Sequence, residues 1–299
     1  MLENGILLID KPEGPSSAQV VHRVKTLLGA RKVGHLGTLD PFASGLLVVG
    51  VNEGTKIADV FLSAPKSYRG IMALGVATDS QDATGKVVEV RPVPFFGEPE
   101  LEDLARRFTG ELKQVPPMFS ALKKDGMRLY RLARQGKEVP REPRTIRVER
   151  LGLKKLSDSE IEFEVTCSRG TYVRTLAADM GTAMGCGAHL KSLRRTACGP
   201  LTLDQALKME VVERLLGKSR SPLLPINSAL AHIRAVCWDR RWVTQLRLGQ
   251  QKILSQLGRP QQGETLVRVV DPQGRLVALV EWSDGPATCG WRLARVFRE

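Results

Sequence analysis

Gly34-His35-Leu36-Gly37-Thr38-Leu39-Asp40-Pro41-Phe42-Ala43-Ser44-Gly45 is the stretch whose reading decides the fold. Three glycines, one histidine and one carboxylate stand there between a basic helical segment and the apolar run 46–49, so backbone freedom and a single acid meet at the edge of a core. Pro41 biases Asp40 away from helical backbone and removes the next amide donor, which stiffens the turn. Such a turn suits an active-site carboxylate. An Asp before Pro also organises an ordinary Asx turn, and the stretch by itself leaves both readings open.

On the N-terminal side, residues 6–9 form a short apolar strand ended by Asp10-Lys11-Pro12-Glu13-Gly14-Pro15. Ser16 or Ser17 caps a helix with Val20, Val21, Val24, Leu27 and Leu28 on one face, and Gly29 stops it. On the C-terminal side, residues 46–51 read as a buried strand and 55–61 as a short helix. Residues 66–75 form an extended run in which Tyr68 lies between Lys66 and Arg69, an arrangement suited to stacking on a base whose phosphates the two cations hold. A strand tyrosine at a core edge has the same local pattern. The turn 78–85 carries Asp79 and Asp82 without calcium-loop spacing and is read as a solvated hairpin. Residues 86–90 continue as a strand and 100–108 as a helix with Leu101, Leu104, Ala105 and Phe108 inward.

The formal net charge is +13 over 299 residues, which points to a polyanionic partner, nucleic acid first. Residues 120–147 hold nine cations against Asp125, Glu138 and Glu142, an excess of six. With only Met127, Leu129, Tyr130 and Leu132 as an apolar seam, this segment reads as a projecting arm. Lys123, Lys124, Arg128, Arg131, Arg134 and Arg141 are its candidate phosphate contacts. No run reaches bilayer-spanning length and no leader pattern opens the chain, so a cytoplasmic protein without a membrane partner is expected. The five cysteines are odd in number and lack C-x-x-C spacing, and no H-E-x-x-H occurs, so neither a disulfide framework nor a metal site is expected.

Residues 147–153 and 161–167 read as strands, the second alternating cleanly with Ile161, Phe163, Val165 and Cys167 on one face. A helix follows with Val173, Leu176, Ala177 and Met180 inward and Tyr172 and Arg174 in its first turn. A cation gains nothing from the positive end of a helix dipole, so Arg174 needs an anionic partner, for which Asp40 is the obvious protein group if the loops converge. Gly187 to Thr196 joins apolar positions to a further basic cluster. Thr202 and Gln205 have capping-box spacing and open an amphipathic helix. Residues 217–225 read as a linker. The tail, with strands at 265–270 and 276–282 around a Pro-Gly turn, is a compact β module with Arg234, Arg240, Arg241 and Arg247 on a basic face.

Five stretches taken together closely resemble the bacterial TruB family of transfer-RNA pseudouridine synthases. They are Gly34 to Pro41, Lys66 to Gly70, Gln114 to Lys123, Cys167 to Leu176, and Gly187 to Leu190 with Leu193 to Thr196. The resemblance implies an α+β catalytic domain on a central, largely antiparallel sheet over residues 1–222, then a small, mostly β, PUA-like RNA-binding domain over 228–299. It implies conversion of uridine to pseudouridine at position 55 in the T loop of tRNA, without cofactor or metal; the basic arm, in which stand-alone members resemble this chain, points to direct recognition with no guide RNA, and a monomer is expected. On that carry-over Asp40 is the catalytic acid and Arg174 its partner, and Tyr68 stacks on the uracil. Tyr172 and Leu193 line the pocket, and His35 holds the everted nucleotide.

Two other classes fit less well. A uridine methyltransferase needs a cysteine nucleophile and a glycine-rich methyl-donor site in a βαβ setting, for which Gly34 to Gly37 is too short. A non-catalytic RNA-folding factor leaves Asp40 and Arg174 unexplained.

Overall fold

The computed structural model describes residues 3–124, 126–285 and 288–297; Asp125, counted above among the acids of the arm, lies outside them. The chain begins β1 (Gly5–Lys11), α1 (Ser17–Leu28), β2 (Val33–His35), β3 (Ser44–Val51), α2 (Ala58–Ser63) and β4 (Lys66–Leu74). It continues with β5 (Val76–Thr78), β6 (Val87–Val90), α3 (Glu98–Arg107), β7 (Gly110–Gln114), β8 (Lys123–Lys124), β9 (Met127–Arg128) and α4 (Leu129–Arg134). Next come β10 (Arg144–Ser157), β11 (Glu160–Cys167), α5 (Val173–Ala183), β12 (Ala188–Cys198), β13 (Leu201–Thr202), α6 (Met209–Gly217) and α7 (Ile226–Ala229). The last elements are β14 (Ala235–Cys237), α8 (Arg240–Arg247), β15 (Leu266–Val270), β16 (Leu276–Gly285) and β17 (Thr288–Val296).

The large sheet has the order β1-β3-β12-β4-β11-β10-β7, with β2 added to β3 and β13 to β12. Its ladders are antiparallel except where β12 meets β3 in parallel, Arg194 opposite Ser44 and Arg195 opposite Gly45. Leu7, Ile9, Leu47 and Val49 enter one core, while Ile6, Leu8, Leu46 and Val48 enter another on the opposite face. Both faces of this edge are therefore covered, which is why residues 6–9 and 46–49 are continuously apolar rather than alternating. β11 alternates as expected, Ile161, Phe163, Val165 and Cys167 being buried. α5 packs on the first core through Val173, Leu176, Ala177 and Met180.

Ser16 caps α1 and makes a capping box with Gln19, and Gly29 ends the helix in the left-handed region at φ +56°. Leu27, expected on the inner face, is 38% exposed because burial follows Ser17, Val20 and Val24. The capping box at Thr202 exists but caps a single 3-10 turn, Leu203–Gln205, and the amphipathic helix starts only at Met209. The stretch 217–225 is no free linker, because Leu224 and Ile6 exchange backbone hydrogen bonds of 2.8 and 2.9 Å.

The tail folds as a four-stranded sheet, β14-β15-β16-β17, over its own core of Trp238, Val243, Leu246, Val267, Val277, Val280 and Trp291. β14 and β17 escaped the sequence reading. Arg234, assigned to a basic face, is held by a two-pronged pair with Glu264 at 2.6 and 2.9 Å. Leu279 of this sheet and Phe297, just past the end of β17, enter the second core beside Leu46 and Leu230.

Candidate active site

The loop between β2 and β3 is fixed along its whole length from beneath. Leu36 donates to the Val48 carbonyl at 2.8 Å, and the Ser17 hydroxyl bridges the amide and carbonyl of Leu39, both at 2.8 Å. The fully buried Lys11 donates its ammonium to the carbonyls of Pro12, Pro15 and Pro41 at 2.7, 2.9 and 3.3 Å. Burial lowers its pKa to about 8 even though Asp40 opposes the shift. Arg195, 2% exposed, donates to Leu46, Thr38 and Gly37 carbonyls. Gly45, at φ +99°, lets β3 start against β12, since a Cβ there would lie 2.4 Å from the Arg195 carbonyl.

Out of this base Asp40 projects with its side chain 41% exposed. Oδ2 accepts from Arg174 Nε at 2.9 Å. Arg174 itself is buried, with Nη1 on the Ser80 carbonyl and Nη2 on the Phe119 carbonyl, both at 2.8 Å. Its Nη1 also lies 3.6 Å from Asp82 Oδ2. The turn read as a solvated hairpin thus supplies a buried carboxylate, Asp82, which accepts from Ser80 Oγ and the Thr84 amide. Three segments far apart in sequence converge on one guanidinium, and two of the three arginine nitrogens are used to hold it still.

Tyr68 stands on β4 opposite Arg195 of β12 and Val165 of β11. Burial pushes its phenol up to about 12, with the Arg195 cation pulling the other way. Tyr172 is the residue before α5, and Gln114 at the end of β7 clamps its backbone from both sides, accepting from its amide at 2.8 Å and donating to its carbonyl at 3.1 Å. Its phenol too is raised, mainly by burial. His35 ends β2, half-buried, with Nδ1 lacking a partner among the described residues. Burial and the Arg195 charge lower its pKa, which favours the neutral ring. Leu193 is buried in the first core opposite Gly70 of β4.

Lys66 and Arg69 are engaged elsewhere. Lys66 is buried with its ammonium on the Leu62 and Ala64 carbonyls at 2.7 Å each, ending α2, and Arg69 pairs with Glu162 at 2.9 Å. The alternation of β4 places Arg69 on the face opposite Tyr68. The arm forms a two-residue hairpin and the six-residue α4, anchored by buried Leu129. Lys123, Arg128, Arg131 and Arg134 are exposed, Lys124 donates to the Pro140 carbonyl at 2.9 Å, and Arg141 pairs with Glu138 at 2.8 Å.

Sequence reading missed Asp82 and Arg195. The only signal for Asp82 was its place in an acid-bearing turn, which is ordinarily solvated. Arg195 sat in a cluster with Arg194 and Lys191 that reads as surface charge. Cys167, Cys186 and Cys198 are buried, and burial raises the Cys167 thiol to about 11, far from a nucleophile's range. No helix among the described residues is long and apolar enough to cross a membrane.

Two family models match the chain: TruB family pseudouridylate synthase (N terminal domain) over residues 25–173, and tRNA pseudouridylate synthase B C-terminal domain over 174–231. The chain is 45% identical over 285 residues to tRNA pseudouridine synthase B of Burkholderia mallei (strain NCTC 10247), covering 94% of each chain. It is 41% identical over 297 residues to the protein of that name from Stutzerimonas stutzeri (strain A1501), covering 98% of this chain and 96% of the relative. Among solved structures it is similar to a Cbf5-Nop10-Gar1 complex, with a TM-score of 0.73 and 24% identity over 98% of this chain and 85% of that one. It is also similar to the archaeal box H/ACA sRNP Nop10-Cbf5 complex, with a TM-score of 0.71 and 22% identity over 99% and 87%. At these identities the structural likeness speaks to fold alone.

Proposed function

The chain belongs to the TruB family of pseudouridylate synthases, and from that premise we propose that it isomerises uridine to pseudouridine at position 55 in the T loop of tRNA, with Asp40 as the acting carboxylate. The observation that carries this reading is the partly exposed Asp40 carboxylate held 2.9 Å from a buried arginine on a loop bonded from below. The relatives' shared name, tRNA pseudouridine synthase B, supports tRNA as the substrate.

The reaction breaks the bond from N1 of uracil to C1′ and makes one from C5 to C1′, after which C5 loses its proton and N1 ends protonated, so that the product is an isomer of the substrate. A duplex-embedded base cannot be reached, so the uridine is taken out of the stack. Oδ2 of Asp40 is engaged by Arg174. The partly exposed carboxylate either attacks C1′ or removes the C2′ proton towards a glycal. In both routes Arg174 aims the carboxylate, and its own fixed bonds to Ser80 and Phe119 keep that aim. The Tyr68 ring, with Tyr172 and Leu193, holds the detached uracil while it turns. His35 meets the everted nucleotide as a neutral hydrogen-bonding ring.

The arm, with Lys123, Lys124, Arg128, Arg131, Arg134 and Arg141, grips the RNA backbone directly, so no guide RNA is needed. The PUA-like module of residues 228–299 adds RNA contact to the catalytic unit of residues 1–222. The protein acts in the cytoplasm as a monomer. The deciding experiment is single-turnover modification of unmodified tRNA by wild type and D40N, reading every uridine. Product at position 55 alone, and from wild type alone, is the expected result; tRNA binding by the wild type without any pseudouridine would sink the reading.

A further inference from the structure

Arg195 is among the largest fully enclosed side chains of the protein, and its guanidinium is bonded to backbone oxygens. Nε donates to the Leu46 carbonyl at 2.7 Å, Nη1 to Thr38 at 3.2 Å and Nη2 to Gly37 at 3.0 Å. These carbonyls bracket Asp40, two on the approach to the acid and one on the strand that leaves it. Among the described residues no carboxylate pairs with it; a cation buried in this way is costly, and it persists here because three carbonyl dipoles converge on it. A lysine ammonium keeps the charge but concentrates its donors at one point, so it cannot span the Gly37–Thr38 side and the Leu46 side together.

The same residue faces the other wall of the site. On β12, Arg195 is opposite Tyr68 of β4 and, in the parallel pairing, opposite Gly45 of β3. Gly45 is the point of closest approach, where no side chain fits between the loop's end and the Arg195 backbone. One residue therefore ties the loop that presents the acid to the strand that presents the ring.

We propose that Arg195 is a positioning residue for uridine isomerisation, setting the Asp40 loop at a fixed distance and angle from Tyr68 so that acid and ring engage the same nucleotide. It differs from Arg174, which touches the carboxylate. The inference rests on the reading of Asp40 as the acting carboxylate.

The test compares wild type, D40N, R195K and R195M for single-turnover rate on unmodified tRNA at saturating enzyme, for tRNA dissociation constant, and for thermal melting. R195K is expected to fold and to bind tRNA within about threefold of wild type, since phosphate contacts dominate affinity. Its rate is expected to fall about 100-fold, as for a misplacement of about 1 Å, with R195M lower still. A folded R195K with wild-type rate overturns the proposal, as does a loss confined to binding. Failure of R195K to fold also overturns it, by making Arg195 a requirement of the fold rather than of the site. If D40N turns over normally, the functional reading itself fails; if D40N is dead while R195K is fast, only the present inference does.

Discussion

Arginine is used in two opposite ways in this molecule. Around Asp40, Arg174 and Arg195 are buried, and the nitrogens of both are bonded to fixed acceptors. Along the arm, Arg131 and Arg134 stand in solvent on a six-residue helix with one buried leucine beneath, and Arg128 is exposed at its N-cap. On the proposed function, the first arrangement loses its value if a group moves by an ångström, because a carboxylate must meet one carbon of one nucleotide. The second keeps its value while it moves, because a phosphate backbone offers many equivalent charges. On that proposal chemistry and grip are separable, and substitutions can separate them.

The sharpest break is D40N, which is expected to reduce single-turnover product formation about 1000-fold or more while tRNA affinity, measured by filter binding, stays near wild type. R174K comes next. It keeps the charge but loses the fork to Ser80 and Phe119, so kcat should fall about 100-fold with little change in KM. An equal loss through KM alone would move Arg174 to the gripping side of the comparison. Replacing Lys123, Lys124 and Arg128 together by Ala should weaken tRNA binding about tenfold near physiological salt and make the salt dependence shallower, with turnover at saturation intact. An unchanged salt slope would show that the arm does not hold phosphate.

The smallest expected effect comes from His35. Its folded-state pKa lies below the ordinary 6.5, chiefly through burial. The unfolded chain therefore takes up the proton first as the pH falls, so this contribution to stability is complete above about pH 6.5 and is lost progressively below it. Denaturant unfolding of wild type and H35Q at pH 7.5 and pH 5 should give the variant the flatter pH dependence.

Much of the fold was legible where a single period ruled. β11 alternates by two and α5 by three to four, and both stand where the pattern placed them, except that Tyr172, expected in the first turn of α5, precedes it as the N-cap. The helix expected at Thr202 shows a genuine local signal ending after one turn, because Leu207 turns to bond with β1 and the chain restarts at Met209. β17, rich in arginine and interrupted by Gly290, is a strand through pairing with β16, which no local pattern encodes. Within the site, Asp40, Tyr68 and Arg174 stand out because their neighbours are unusual. Asp82 and Arg195 do not, since an acid in a polar turn and an arginine beside another arginine look like surface until the tertiary fold buries them.

The parallel meeting of β3 and β12 also bears on when the protein becomes an enzyme. Arg195 reaches back 149 residues to Leu46 and 158 to Gly37, and Arg174 reaches back 134 to Asp40. Contacts of such separation form late, after the intervening hairpins have paired. A chain still emerging from the ribosome carries Asp40 and the basic arm long before β12 arrives to seat the loop, so the proposed acid is present in the chain before the contacts that fix its place.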